Sequence, residues 1–136
     1  EESKNIYAVI CGNGPEKQKL IQLIHELGLD SNIQMIGERS HKEIVELMKK
    51  TRVLLHPSSY EGFGMVCLEA LGAGSKVLSF TRAMKNELPH WTVVADEEEM
   101  YAKAREILSE NSTYEPVIPY KMEDSVRKLM NLFGES

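Results

Sequence analysis

The sequence predicts an α/β fold, a parallel sheet with helices on both faces, built as one domain over residues 1–136. Three observations predict it. Short β-rich runs alternate with helical patterns from one end of the chain to the other. Runs such as Val53-Leu54-Leu55 are continuously apolar, as strands covered on both faces are. With 136 residues, 42% of them apolar and 27% charged, the chain suits a single soluble core.

The elements follow in order. Residues 6–10 (IYAVI) form a strand that stops at the turn formers Gly12-Asn13-Gly14-Pro15. A helix follows, with Leu20, Ile21, Ile24 and Leu27 at helical spacing, Pro15 in its first turn and Gly28 just past its end. Residues 33–37 (IQMIG) make the second strand. Ser40-His41-Lys42-Glu43 is a capping box, in which the serine accepts from a free helix N–H and the glutamate reaches back. Ile44, Val45 and Met48 are the buried stripe of that helix.

Residues 53–57 form the third strand. Gly62 to Gly72 is a helix with Met65, Leu68 and Leu71 facing inward, and residues 76–80 and 92–95 are two further strands. Asp96 caps a helix carrying Met100, Ala104, Ile107 and Leu108. Residues 111–120 read as a loop. A last amphipathic helix carries Val126, Leu129, Met130 and Phe133.

The formal charge is −5, from 21 acidic and 16 basic residues. No Lys/Arg cluster dominates a segment, so nothing calls for nucleic acid. Cys11 and Cys67 lie far apart inside apolar runs and are expected to be buried, reduced thiols. His25, His41, His56 and His90 show no metal-ligand spacing. No signal peptide is apparent, and no apolar stretch approaches the ~20 residues that span a bilayer, which points to the cytoplasm.

In parallel sheets ligands bind beyond the carboxyl ends of the strands. The loop there that stands out runs Pro57-Ser58-Ser59-Tyr60-Glu61-Gly62-Phe63-Gly64-Met65. Glycines at a helix start let a ligand approach the backbone, and the first turn offers unpaired N–H groups that favour a phosphate or diphosphate. Taken alone, the glycine pair is better explained as a tight strand-to-helix turn. Two carboxylates change the balance. Glu61 precedes the helix and Glu69 lies within it, with seven residues between them. Carboxylates accept well from pairs of sugar hydroxyls. Glu69 also sits among Val66, Cys67, Leu68, Ala70 and Leu71, where a solvated charge is not expected.

The string PSSYEGFGMVCLEALGAG, residues 57–74, resembles the signature of group 1 (family 4) retaining glycosyltransferases, roughly P-S-x-x-E-G-F-G-x-x-x-L-E-A-x-A-x-G. Glu61 and Glu69 occupy its two glutamate positions. Cys11-Gly12-Asn13-Gly14-Pro15-Glu16 is similar to that family's G-x-G-P-E turn, and Ile36-Gly37 to its F-L-G strand end. The resemblance runs from about residue 6 to residue 133.

This resemblance implies a GT-B enzyme of two Rossmann-like domains, of which the chain is the C-terminal, donor-binding one. Glu69 would hold the ribose hydroxyls, and Glu61 would contact the donor sugar near its reacting carbon as the catalytic carboxylate. The N–H groups of Phe63, Gly64 and Met65 would meet the diphosphate, and Arg39 and Ser40 would lie against the base. Gly12, Gly14, Gly37, Ser58 and Gly62 complete the implied donor-binding set. The substrate would be a nucleoside-diphosphate sugar, with UDP the first expectation. No cofactor and no metal would be required. The partner would be an N-terminal acceptor domain of the same polypeptide, with a separate subunit as the alternative. Any association with a membrane surface would reside in that missing half.

Two departures accompany the resemblance. The family's domain opens with a strand and a Gly-Arg…Lys-Gly segment, and this chain is read as starting after it, truncated at its N-terminus. The strand so omitted belongs mid-sheet, which leaves a gap or an uncovered edge. A Gly-Gly pair expected before Glu87 is replaced by Ala83-Met84, whose side chains would crowd a diphosphate. Lys85 and Arg82 read as surface residues that can supply compensating charge. A catalytically silent nucleotide-binding or scaffold module is therefore a second expectation. His56 reads as a core histidine, Trp91 as packing the sheet edge, and Glu97-Glu98-Glu99 as a helix start.

Overall fold

A computed structural model describes residues 6–59, 64–82 and 87–110. The element order is β1 (Ala8–Cys11), α1 (Lys17–Glu26), β2 (Ile33–Gly37), α2 (His41–Lys49), β3 (Val53–His56), α3 (Met65–Gly72), β4 (Lys76–Ser79), β5 (Trp91–Val93) and α4 (Glu97–Ser109). The loop expected at 111–120 and the last amphipathic helix lie outside the described residues. The chain divides into two compact units whose boundary, between Ile44 and Val45, falls inside α2.

Among the described residues every strand pairing is parallel, as the β/α alternation requires, but the strands form two sheets rather than one. In the first unit β1 pairs with β2, Ala8 opposite Ile33 and Ile10 opposite Met35, with a register shift before Cys11 meets Gly37. In the second unit β4 lies between β3 and β5, so that Leu55, Leu78 and Thr92 share one row. Among the described residues β1 and β2 in the first sheet, and β3 and β5 in the second, each keep one edge without a strand.

The helices end where local chemistry stops them. At the end of α1, Gly28 takes φ +66°. Its N–H donates to the His25 carbonyl at 3.0 Å while the Leu29 N–H donates to the Ile24 carbonyl at 2.9 Å, which satisfies two otherwise orphaned acceptors. At α2 the capping box forms as read. The Ser40 N–H donates to Glu43 Oε2 at 2.8 Å, and the Glu43 N–H to Ser40 Oγ at 3.3 Å. Asp96 caps α4 by accepting from the Glu99 N–H at 2.8 Å, and Glu99 returns to the Ala95 N–H at 2.7 Å.

The core lies in the second unit. Leu78, Val94, Met100, Ala104 and Ile107 pack together, flanked by Val53 and Phe80. Buried Ser75 fastens the chain just before β4, its hydroxyl shared between the carbonyls of Met48 (2.8 Å) and Thr51 (2.6 Å). Arg52 donates to the carbonyls of Leu108 and Glu110, and Lys76 pairs with the Glu110 carboxylate at 3.2 Å. Two cations from the starts of β3 and β4 thus meet the C-terminal end of α4, where the helix dipole favours positive charge.

Burial departs from the sequence pattern in four places. Leu20 and Ile21 of α1 and Leu27 just past its end are exposed, and the helix has no buried residue. The periodicity names a face, but a two-stranded sheet is too narrow to cover it. In α2 only Met48 is buried, while Ile44 and Val45 are half-covered. In α3 the inward face is Cys67, Ala70 and Leu71, while Met65 is 55% exposed and Leu68 half-buried. Apart from Glu69 this helix is apolar all round, so its sequence carries little information about which side faces the core. Finally, Cys67 is fully buried but Cys11, the last residue of β1, is exposed.

Candidate functional site

The site builds up from the start of α3. Gly64, itself buried, precedes the helix at φ +73°, ψ +29°, a left-handed conformation that costs other residues roughly 1–2 kcal/mol. As the residue before the helix it offers no side-chain cap to the first-turn N–H groups. Such an end keeps its partial positive charge available to an anion. The first turn then presents exposed Met65, and Glu69 follows four residues later on the same helix face. Glu69 is half-buried, neither lost in the core nor standing free in solvent. The opposite face, Cys67, Ala70 and Leu71, anchors the helix.

The helix is anchored at its other end as well. Gly74 adopts φ +95°, the Gly74 N–H donates to the Leu71 carbonyl at 3.1 Å, and the Ser75 N–H donates to the Ala70 carbonyl at 2.9 Å. Upstream of the helix, β3 delivers half-buried His56 and Ser58 to the start of the loop. Glu61, Gly62 and Phe63 lie outside the described residues, as do Ala83, Met84 and Lys85.

The remaining sequence-predicted residues belong to the first unit. Gly12 takes φ +125° and Gly37 φ +69° at the ends of β1 and β2, and the Gly12 N–H donates to the Gly37 carbonyl at 2.8 Å. Nothing lies within 4 Å of where a Cβ would stand at Gly12 or Gly14. At Gly37 a Cβ would touch Asn13 Oδ1 and Lys17 Nζ at ordinary contact distances, so its conformation rather than crowding calls for glycine. Lys17, at the first residue of α1, donates to Asn13 Oδ1 at 3.0 Å, a pairing that the sequence pattern did not reveal.

Arg39 and Ser40 are exposed just beyond β2. Ser40 spends both its N–H and its hydroxyl on the capping box with Glu43. The Ser40 N–H, then its hydroxyl and to a lesser degree Arg39, hold the Glu43 carboxyl below its usual range. Partial desolvation pushes the thiol of solvent-exposed Cys11 up, and the nearby Arg39 guanidinium only partly offsets it.

Two features in the second unit went unseen in the sequence. The indole of Trp91, 4% exposed, donates to Ser79 Oγ at 2.8 Å inside the sheet. A shallow cavity of about 320 Å³ lies beside it, lined by Arg82, Glu87, Leu88, Trp91, Thr92 and Val93, with the Arg82 guanidinium 6.0 Å from the indole centroid. Among the described residues no group of three or more His, Cys, Asp or Glu side chains could hold a metal ion. No helix among them is long and apolar enough to cross a membrane.

The family model described as "Glycosyl transferases group 1" matches residues 1–123. The chain belongs to the group 1 glycosyltransferase family. Similar curated glycosyltransferases include the phosphatidylinositol N-acetylglucosaminyltransferase gpi3 subunit of Schizosaccharomyces pombe, 35% identical over 52% of this chain and 16% of that protein. The lipopolysaccharide core biosynthesis glycosyltransferase LpsD of Rhizobium meliloti is 31% identical over 68% of this chain and 25% of its own length. The chain thus spans a quarter or less of these relatives.

Solved glycosyltransferase structures share the fold. The Anabaena protein HepE, solved in complex with UDP-glucose, matches with a TM-score of 0.63 and 22% identity over 78% of this chain and 32% of that one. TarM matches with a TM-score of 0.63 and 20% identity over 98% of this chain and 30% of its own. The architecture is therefore that of a Rossmann-like half of a GT-B glycosyltransferase.

Proposed function

We propose that this glycosyltransferase chain binds the nucleoside-diphosphate sugar donor, with the acceptor held elsewhere in the enzyme. The observation that carries the reading is the start of α3. A left-handed glycine, which has no side chain to cap with, opens the helix, and a half-buried carboxylate, Glu69, stands one turn along the same face as exposed Met65. Helix N–H groups suit the diphosphate and the carboxylate suits a vicinal diol such as that of ribose. In the family pattern Glu61 adds the contact to the donor sugar.

On this reading the transfer is retaining and needs no metal. Charge that builds on the leaving diphosphate is stabilised by donors already fixed in place, which avoids reorganisation during the reaction. UDP is the favoured nucleotide. Relatives named as UDP-N-acetylglucosamine transferases, such as the GtfA subunit of Streptococcus parasanguinis, and the UDP-glucose bound to HepE both support it. Two of the similar proteins are named as subunits, gpi3 and GtfA, which favours a donor subunit of a multichain enzyme as the second reading. Co-purification of a distinct acceptor-binding polypeptide distinguishes the two.

The test is thermal and calorimetric. UDP at ten times its dissociation constant should stabilise the protein by about 1.4 kcal/mol, and the melting temperature rises accordingly. Glu69→Gln keeps the shape but removes the charge, and should weaken UDP binding by about tenfold or more. If UDP, GDP and ADP all leave the melting temperature unchanged at millimolar concentration, the donor-site reading is wrong.

A further inference from the structure

β3 and β4 are neighbouring parallel strands that end in register, His56 opposite Ser79, so the segments that leave them emerge side by side. Thr81 links the two: its hydroxyl reaches the Ser58 carbonyl at 3.5 Å, the long end of hydrogen-bond range. What holds Thr81 there lies deeper. The hydroxyl of Ser79, fully buried, donates to the Thr81 carbonyl at 2.7 Å and accepts from the Trp91 indole N–H at 2.8 Å.

The direction of this chain follows from the donor inventory. An indole N–H only donates, so it can occupy nothing but a lone pair of Ser79 Oγ. The single hydroxyl hydrogen of Ser79 is then left for the Thr81 carbonyl. Each link runs donor to acceptor from Trp91 through Ser79 to the Thr81 backbone. The indole itself cannot swing away, since it is packed in the sheet with the Arg82 guanidinium over its ring. A hydrogen-bond chain anchored at a buried indole and a buried hydroxyl restricts the group at its end.

We propose that Thr81 is a positioning residue for the donor loop, acting at the Ser58 carbonyl, and that Trp91 holds Thr81 to that task through Ser79. The proposal rests on the donor-site reading, because the residues that follow Ser58 in sequence lead to Glu61 and the Gly64 helix start. Trp91 is the only tryptophan in the sequence, so its fluorescence reports on the far end of the same chain.

The test compares Thr81→Val, which keeps the shape, with Thr81→Ser, which keeps the hydroxyl. Without ligand, amide exchange at Ser58 and Ser59 should quicken about fivefold in Thr81→Val, while exchange in β3 and β5 is unchanged. The UDP dissociation constant measured by calorimetry should rise by about fivefold. Saturating UDP should change Trp91 emission in the parent protein, fail to do so in Thr81→Val and do so again in Thr81→Ser. Unchanged exchange at Ser58 and Ser59 would overturn the proposal. Faster exchange with unaltered UDP affinity and an intact Trp91 response would overturn it too, by reducing the link to a structural tie. If the parent binds no UDP while exchange still quickens, the donor-site reading fails and the Thr81 tether to the loop stands.

Discussion

Leu55 and Leu78 occupy the same row of neighbouring strands, yet their replacement should have very different consequences. Leu78 is 0% exposed, in the central strand of its sheet, and packs with Val94, Met100, Ala104 and Ile107. Truncating Leu78→Ala removes three carbon groups, worth about 2.4 kcal/mol at roughly 0.8 kcal/mol each. The walls around it belong to two paired strands and a capped helix, which cannot collapse into the space. The cost should therefore fall in the upper half of the range of about 2.7–5.0 kcal/mol measured for such truncations. Leu55, on edge strand β3, is 48% exposed, so Leu55→Ala should cost less than about 1.5 kcal/mol. Urea denaturation followed by the emission of Trp91, whose strand pairs directly with β4, reads both. Losses of equal size, or a Leu78→Ala cost below about 1.5 kcal/mol, would refute the placement of the core.

Two further outcomes concern the first unit and its boundary helix. Ser40→Ala removes an acceptor from the α2 cap and should cost about 1 kcal/mol, seen as reduced urea stability. Glu43 has a folded-state pKa below its unfolded value, so its cap contribution is complete above the usual carboxylate range. That contribution is lost as pH falls through the depressed value. Stability of the parent should drop on acidification across this window by more than that of Glu43→Gln, and parallel titrations would contradict the cap. For the thiols, Cys11 should stay protonated at neutral pH and react slowly with a disulfide reagent, faster as pH rises into the alkaline range. Cys67 should react only after unfolding, and rapid modification of both at pH 7 would count against the structure.

Features settled within four or five residues of chain were legible in the sequence. The Ser40–Glu43 box, the Asp96 cap and the Gly28 helix stop each formed as read, because both partners in each case lie within one turn. The glutamate-and-glycine signature around Gly64 and Glu69 was legible for the same reason, and with it the family. Strand positions were correct to within a residue or two, although the runs VLLH and KVLS looked alike.

Only the tertiary structure decided what became of those apolar runs and stripes. Leu78 is sealed and Leu55 open, Cys67 buried and Cys11 exposed, and the stripe of α1 has no cover, because burial depends on how many neighbours an element acquires. The hydrogen-bond chain from Trp91 to Thr81 was invisible for a related reason. Its long link joins Trp91 to Ser79, twelve residues apart, which meet only when β4 and β5 pair. Sequence periodicity determines which side of an element is apolar. The count of strands and helices packed around it, a long-range property, determines whether that side ever leaves water.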